Sequence, residues 1–331
     1  MVSATEAIHR KVMLMVKTNR RVDSTFSTSF WRRVARRMGN DWQLYVLLLP
    51  AVAYFIFYCY LPMYGVQIAF RDFKVTFGIT GSRWVGLKNF QDFLNTYYFG
   101  RLLSNTFLLN LYGLLWGFPI PIILAILLNQ FERPRFKKFT QTAIYVPHFI
   151  STVVMAGILY LFLSPINGIV NRMITSLGGS TINFMIEPGW FRRLFIMSDV
   201  WQHAGWNTIL YIATLTGIDQ EIYEAATIDG ATKIKKILHI DIPHLLPIIT
   251  MMLILNCGGL LASNTDKALL MQTPGNMATS DIIGVYVYEV GFRKAQYSYT
   301  SAIGLFINVI NFVMIISVNW LSRRLGETSL F

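Results

Sequence analysis

The sequence predicts an all-α membrane protein with six transmembrane helices. Three observations carry that expectation: scarce charge, evenly spaced apolar runs, and Lys and Arg bunched between those runs. Of 331 residues, 54% are hydrophobic and only 14% are charged, where a soluble domain carries about 25% charged residues. The mean hydropathy is +0.46. A net charge of +12 invites a nucleic-acid reading, but the basic residues form no continuous polar face. In a membrane protein the same surplus follows from the positive-inside rule.

Six runs are long and apolar enough to cross a hydrocarbon core as helices of about 20 residues: 44–63, 102–128, 142–163, 194–215, 244–262 and 301–321. The fifth is the weakest, because Asn256, Gly258 and Gly259 interrupt it. The alternating ten-residue strands of a membrane barrel are missing from the pattern. The tail before Asp41, the loop with Arg133, Arg135, Lys137 and Lys138, the loop with Lys233, Lys235 and Lys236, and the end with Arg323 and Arg324 hold most of the 29 Lys and Arg. With six spans these regions share one side, so both termini are expected in the cytoplasm.

The chain divides into a basic cytoplasmic segment, 1–41, and a transmembrane domain, 42–331, with a distinctive loop at 217–247. Residues 30–38 are basic and aromatic, and read equally as an interfacial helix or as a basic tail that sets topology. Ala51-Val52-Ala53 has the form of a cleavage site but lies inside the first apolar run, so an uncleaved first span is expected. Cys59 and Cys257 sit in apolar stretches and read as small buried hydrophobes.

Catalytic chemistry has little to stand on. There is no H-E-x-x-H, no G-x-S-x-G and no phosphate-binding G-x-x-x-x-G-K-[ST]. His239 and His244 flank Pro243 at a spacing that does not suit a metal pair. The chain is therefore expected to be a non-enzyme that binds no metal and no cofactor itself. Any driven transport must draw on an ion gradient or on another subunit. For the first, Asp199 is the clear acidic candidate within the spans.

The loop after the fourth run is more informative. Asp219 can cap a helix over 220–228 with Glu221 in its first turn. Gly230 can end that helix in a left-handed conformation. Thr232 can cap a second helix that carries Ile234, Ile237 and the lysines, and that Pro243 stops. Small Ala225, Ala226 and Ala231 would let another surface approach the bend. The result would be a compact knob; the plainer alternative is a helical hairpin covering the base of a bundle.

This loop resembles the EAA motif of membrane subunits in binding-protein-dependent ABC importers: Glu224, Ala225, Ala226, Asp229, Gly230, Ala231, Ile240, Pro243 and Pro247 stand at its spacing. Gly86-Leu-Lys-Asn-Phe90, Phe118-Pro-Ile-Pro121, Tyr145-Val-Pro-His-Phe-Ile150, Tyr297-Ser-Tyr-Thr-Ser-Ala-Ile-Gly304 and Glu327-Thr-Ser-Leu330 are similar to the maltose-type branch that imports oligosaccharides derived from polysaccharides. The resemblance implies a permease with cytoplasmic coupling helices, in which Glu224, Ala225, Ala226, Asp229, Gly230, Ala231 and Pro243 meet a separate ATPase. It further implies a place in a bacterial inner membrane, a second permease subunit, two ATPase subunits carrying ATP and Mg, and an extracytoplasmic solute-binding protein that delivers an oligosaccharide. Membrane lipid is the remaining expected partner, and nucleic acid is not one. One departure is Ile at 234 and 237, where many sugar permeases carry aromatic residues.

For the substrate path, aromatic platforms and amides are expected to face the bundle interior. Trp201, Gln202, Trp206, Asn207 and Tyr211 of the fourth span, Asn256 of the fifth, and Asn308 and Asn311 of the sixth are the candidates. The same amides read as helix-to-helix packing, and the Trp residues as interfacial anchors. Gly113-x-x-x-Gly117 fits a close helix contact but is a common pattern. The basic balance fits an acidic cargo such as a uronate oligosaccharide, although most of that charge is expected in the cytoplasm. A gradient-driven carrier or channel is the rival reading.

Overall fold

The computed structural model describes residues 41–262 and 264–324. Apart from Asp41, the expected basic segment and its 30–38 stretch lie outside the described residues, as does the 327–330 tail. The described residues fall into two compact units that divide after Val66, and each is taken by itself.

In the first unit, α1 (Trp42–Tyr54) continues through a π-helical stretch, Phe55–Tyr60, into Leu61–Met63. Pro50 lies within α1. The helical segment Trp42–Phe70 has a mean hydropathy of 2.0, and the first expected span falls inside it. Cys59 on this segment is exposed, not buried as expected, and Cys257 is half-buried.

Among its described residues the second unit has helices, their connecting loops and one two-residue antiparallel pair, β1 (Arg71–Asp72) and β2 (Arg83–Trp84). Its main helices are α2 (Lys88–Leu94), α3 (Phe99–Asn129, jointed at Phe118), α4 (Pro134–Tyr145), α5 (Thr152–Phe162), α6 (Ile169–Ser176) and α7 (Pro188–Thr216). They are followed by α8 (Gln220–Ile228), α9 (Lys233–Cys257), α10 (Thr265–Met271), α11 (Ile283–Tyr288) and α12 (Tyr297–Arg324). By length and apolarity, four described helices could each cross a membrane: the α1 segment, α3, α9 and α12. The pair α4–α5 makes a fifth if it counts as one span.

Three expected spans differ in instructive ways. The third is not one straight helix, since α4 and α5 meet at 96°. Pro147 brings no N–H to the ladder, Ile150 is extended (ψ 128°), and the Ser151 hydroxyl accepts from Val154 N–H to start α5 afresh. The apolar run continues through a capped break, so hydropathy alone misses it. The fourth, α7, has 29 residues, about 43 Å of helix, but carries Asp199, Gln202, His203 and Asn207. It packs against α3, α4, α9 and α10, and a helix enclosed by others need not be apolar all round. The fifth begins eleven residues early: Pro243 does not stop the second loop helix. A π turn, Ile237–Asp241, precedes it and Pro243 falls at the start of the next α segment, where a missing N–H is tolerated. The loop helix and the fifth span are thus one continuous rod.

Two apolar clusters hold α7 in place at its two ends. Ala125, Leu128, Tyr211, Leu215, Ile218 and Leu245 pack at its C-terminal end. Leu109, Phe191, Phe195, Ala268, Met271 and Ile282 pack at the other. Gly205 at mid-helix lets α7 approach α4 so closely that any Cβ would overlap the Ile144 carbonyl.

Candidate coupling element and substrate cleft

The loop between α7 and α9 is built by local chemistry. Asp219 Oδ1 accepts from the Glu221 N–H at 3.1 Å and starts α8. At the other end Ala231 N–H reaches the Ala226 carbonyl at 2.9 Å and Gly230 N–H the Thr227 carbonyl at 3.0 Å. That paired closure needs a left-handed residue, and Gly230 supplies it with φ +74°. Thr232 Oγ1 then accepts from Lys235 N–H at 3.4 Å and starts α9.

The knob is exposed over Glu224, Ala225, Asp229 and Gly230, with Ala226 and Ala231 half-buried in the bend. Ile228 is 87% exposed and Ile234 69%. Pro243 is exposed further along α9.

Behind the knob lies a buried polar junction that spacing does not reveal. Asp241 is 0% exposed. Its Oδ1 accepts from the Tyr223 hydroxyl of α8 at 2.5 Å, and its Oδ2 from Gln130 Nε2, just past α3, at 3.0 Å. Asn129 Nδ2 donates to the Tyr223 oxygen at 3.4 Å. Burial and the Asp241 carboxylate together push the Tyr223 phenol well above its usual range, so it stays a neutral donor. The signal available in sequence was an acidic residue set between Ile240 and Ile242. Two peripheral ties complete the knob: Lys236 Nζ to Thr227 Oγ1 at 2.6 Å and Lys233 to Glu132 at 2.8 Å, the latter well exposed.

A cleft opens between α3, α7 and α9. It comprises a cavity of about 800 Å³ and an adjoining one of about 380 Å³ that share Asn110, Gly113, Asp199 and Asn207. Of the residues expected on the path, Trp206, Asn207, Tyr211 and Asn256 line it. Trp206 stacks on His148 with ring centroids 4.4 Å apart, and Asn256 Nδ2 bonds back to the Met252 carbonyl. Trp201, Gln202, Asn308 and Asn311 stand apart from this group. Gln202 is buried with Nε2 on the Ile150 carbonyl at 2.6 Å, Asn311 Oδ1 accepts from Leu261 N–H, and Trp201 and Asn308 are exposed off the cleft. Gly113 and Gly117 line the cleft rather than a tight helix contact: a Cβ on the first would meet nothing within 4 Å, and one on the second only Val200 at 3.8 Å. Asn110, three residues before Gly113 on the same face, is a lining residue that sequence reasoning missed.

Asp199 also lines the cleft, but with a partner. Lys267 of α10, 1% exposed, donates to Asp199 Oδ1 at 3.2 Å and to the Phe195 carbonyl at 2.9 Å. Burial pulls the Lys267 ammonium below its usual range, and Asp199 works against that. His203 sits 3.8 Å from the same carboxylate.

A multi-pass helical chain with a helical cleft and a capped two-helix loop defines a membrane transport component. The family is identified by residues 106–327, which match the model described as "Binding-protein-dependent transport system inner membrane component". The chain belongs to that family, the one its EAA-like loop resembles. Among its relatives is Protein LplB of Bacillus subtilis, 40% identical over 294 residues that cover 89% of this chain and 92% of that one. The B. subtilis polygalacturonan/rhamnogalacturonan transport system permease protein YteP is 38% identical over 300 residues, 91% and 94% of the two chains. A crystal structure of a bacterial ABC transporter involved in the import of the acidic polysaccharide alginate contains a chain of the same fold. Its TM-score is 0.81 at 35% identity, over 88% of this chain and 99% of that one. A second structure of the bacterial alginate ABC transporter, in complex with alginate pentasaccharide-bound periplasmic protein, gives 0.81 at 34%.

Proposed function

We infer that the chain is one of two permease subunits of an ATP-driven importer, which passes an oligosaccharide delivered by an extracytoplasmic binding protein through the cleft between α3, α7 and α9. The observation that carries this reading is the continuity of α9. The same helix starts in an exposed, doubly capped knob and ends as a wall of the cleft, so force applied at one end is felt at the other. The knob is the docking site for an ATPase that is a separate chain and holds the ATP and Mg. Glu224, Ala225, Ala226, Asp229, Gly230, Ala231 and Pro243 are the contact residues, and two ATPase subunits serve the two permeases. The Lys and Arg bias supports both termini and the knob on the cytoplasmic side.

The cargo reading rests on the cleft and on the relatives. Aromatic Trp206 and Tyr211 beside Asn207 and Asn256 suit sugar faces and hydroxyls. The relatives' polygalacturonan and alginate are acidic polymers, which supports a uronate oligosaccharide. Among the described residues the ionisable lining is Asp199 and His203, with Lys267 already spent on Asp199. Beyond His203, a cation for the sugar carboxylates would be supplied by the second permease or the binding protein.

The test is reconstitution in liposomes. The chain alone should hydrolyse no ATP; with partner permease, ATPase and binding protein, oligosaccharide should stimulate hydrolysis and enter. Nucleotide-independent uptake by this chain alone under an ion gradient would overturn the reading in favour of a carrier. Competition by neutral and uronate oligosaccharides for the binding protein decides the cargo, and equal or tighter binding of the neutral series would remove the acidic assignment.

A further inference from the structure

We propose that the buried Tyr223–Asp241–Gln130 junction is the joint that transmits knob movement to the cleft, with Asp241 as its positioning residue. This rests on the reading that a separate ATPase docks on the knob. The junction ties three segments at one carboxylate: α8 through Tyr223, the π turn of α9 through Asp241, and the end of α3 through Gln130 and Asn129. Two of those helices are cleft walls: Gly113 and Pro121 belong to α3, and Met252 and Asn256 to α9. The third carries the exposed surface that would meet the ATPase.

The junction outweighs the other ties to the knob for a physical reason. Lys233–Glu132 is exposed, where water and salt screen an ion pair and leave it weak. Lys236–Thr227 ties α8 to α9 but reaches no part of α3. Asp241 is enclosed, so separating it from Tyr223 or Gln130 leaves a buried carboxylate short of donors, which is costly. A displaced α8 therefore drags both walls with it before it parts from them. The π turn that presents Asp241 is itself an irregularity of the kind that recurs at functional sites. Around the polar centre, Tyr223 and Ile240 pack on Leu128, Tyr211 and Leu245, which stiffens the joint.

The experiment uses the complete transporter in liposomes, with Tyr223→Phe, which removes one hydroxyl, and Asp241→Asn. Three quantities are read: ATPase affinity for the membrane subunits, ATP hydrolysis, and cargo imported per ATP. The expected result is ATPase affinity within twofold of wild type, while cargo per ATP falls about fivefold for Tyr223→Phe and more for Asp241→Asn. Two results would overturn the proposal. One is cargo per ATP within twofold of wild type for an assembled Tyr223→Phe transporter. The other is a loss of transport matched by an equal loss of ATPase affinity, which would make the junction a support for docking only. Should Asp241→Asn fail to assemble, the milder Tyr223→Phe still decides. Failure of the wild-type chain to bind an ATPase would instead sink the docking reading, and the two failures are told apart by that control.

Discussion

Replacing Asp199 by Asn leaves the Lys267 ammonium buried without its counter-ion, whereas replacing Lys267 by Met removes the buried charge altogether. The two changes should therefore differ in size although they break the same pair. Breaking a buried pair from one side costs about 3–5 kcal/mol. Asp199 is 45% exposed, so solvent screens part of the interaction and a discounted loss of roughly 2 kcal/mol is expected for Asp199→Asn. Lys267→Met trades a desolvated cation for an unbranched side chain of similar length, and about 1 kcal/mol or less is expected. Adding Lys267→Met to Asp199→Asn should restore most of the loss, because the orphaned charge is gone. The assay is thermal unfolding of the purified protein in detergent, followed by tryptophan fluorescence, where 2 kcal/mol corresponds to roughly 4 °C in Tm. A second signature comes from pH. In Asp199→Asn the carboxylate that raises the Lys267 pKa is missing and burial acts alone. The folded state then releases the proton before the unfolded chain, so the deficit should shrink as pH rises toward the ordinary lysine value of about 10.4. Equal losses for the two single variants, or a double variant as poor as their sum, would refute the account.

Three further outcomes follow from the geometry. Gly205→Ala should destabilise by about 1–3 kcal/mol or prevent assembly, since its Cβ would overlap the Ile144 carbonyl, while Gly113→Ala, which meets nothing within 4 Å, should leave Tm unchanged. Gly230→Val has room for its side chain but not for its backbone at φ +74°. A loss of about 2 kcal/mol of stability, read as a lowered Tm, and weaker ATPase co-purification are expected, with wild-type values for both counting against the knob. Because the Tyr223 pKa is raised, the stability its hydroxyl contributes is present below the unfolded phenol value near 10 and declines only above it. The difference in unfolding midpoint between wild type and Tyr223→Phe should accordingly stay constant from about pH 6 to pH 9, and a wild-type decline within that range, absent from the variant, would contradict the assignment.

Legibility in the sequence tracked how local the physics is. Asp219, Gly230 and Thr232 act on backbone groups two or three residues away, and each is found doing what its type suggests. The apolar runs located the long helices, because lipid and protein both accept apolar surface. Hydropathy failed at Ser151, where the chain turns within an apolar stretch, and the reading of proline as a helix stop failed at Pro243, where a π turn carries the helix on. Among the cleft candidates, facing direction separated Trp206 and Asn207 from Trp201 and Gln202, and direction depends on which neighbours α7 packs against. Lys267 meets Asp199 across 68 residues, and no spacing rule reaches that far. Asp241 carries no local signal of its role, because its two partners, Tyr223 and Gln130, come from 18 and 111 residues away.

The polar residues that make α7 a useful cleft wall also bear on how the chain enters the membrane. This helix is long enough to span, yet it is absent from the four described helices that are apolar enough to do so alone. An Asp costs up to about 2.5–3.5 kcal/mol at insertion, most at the centre of a span and less toward its ends, and α7 carries Asp199 together with Gln202, His203 and Asn207. In the folded chain that polarity is met by α3, earlier in the sequence, and by α10, later in it, whose Lys267 pairs Asp199. On that cost α7 is expected to insert less favourably by itself than together with α3 and α10, between which its polar face is covered.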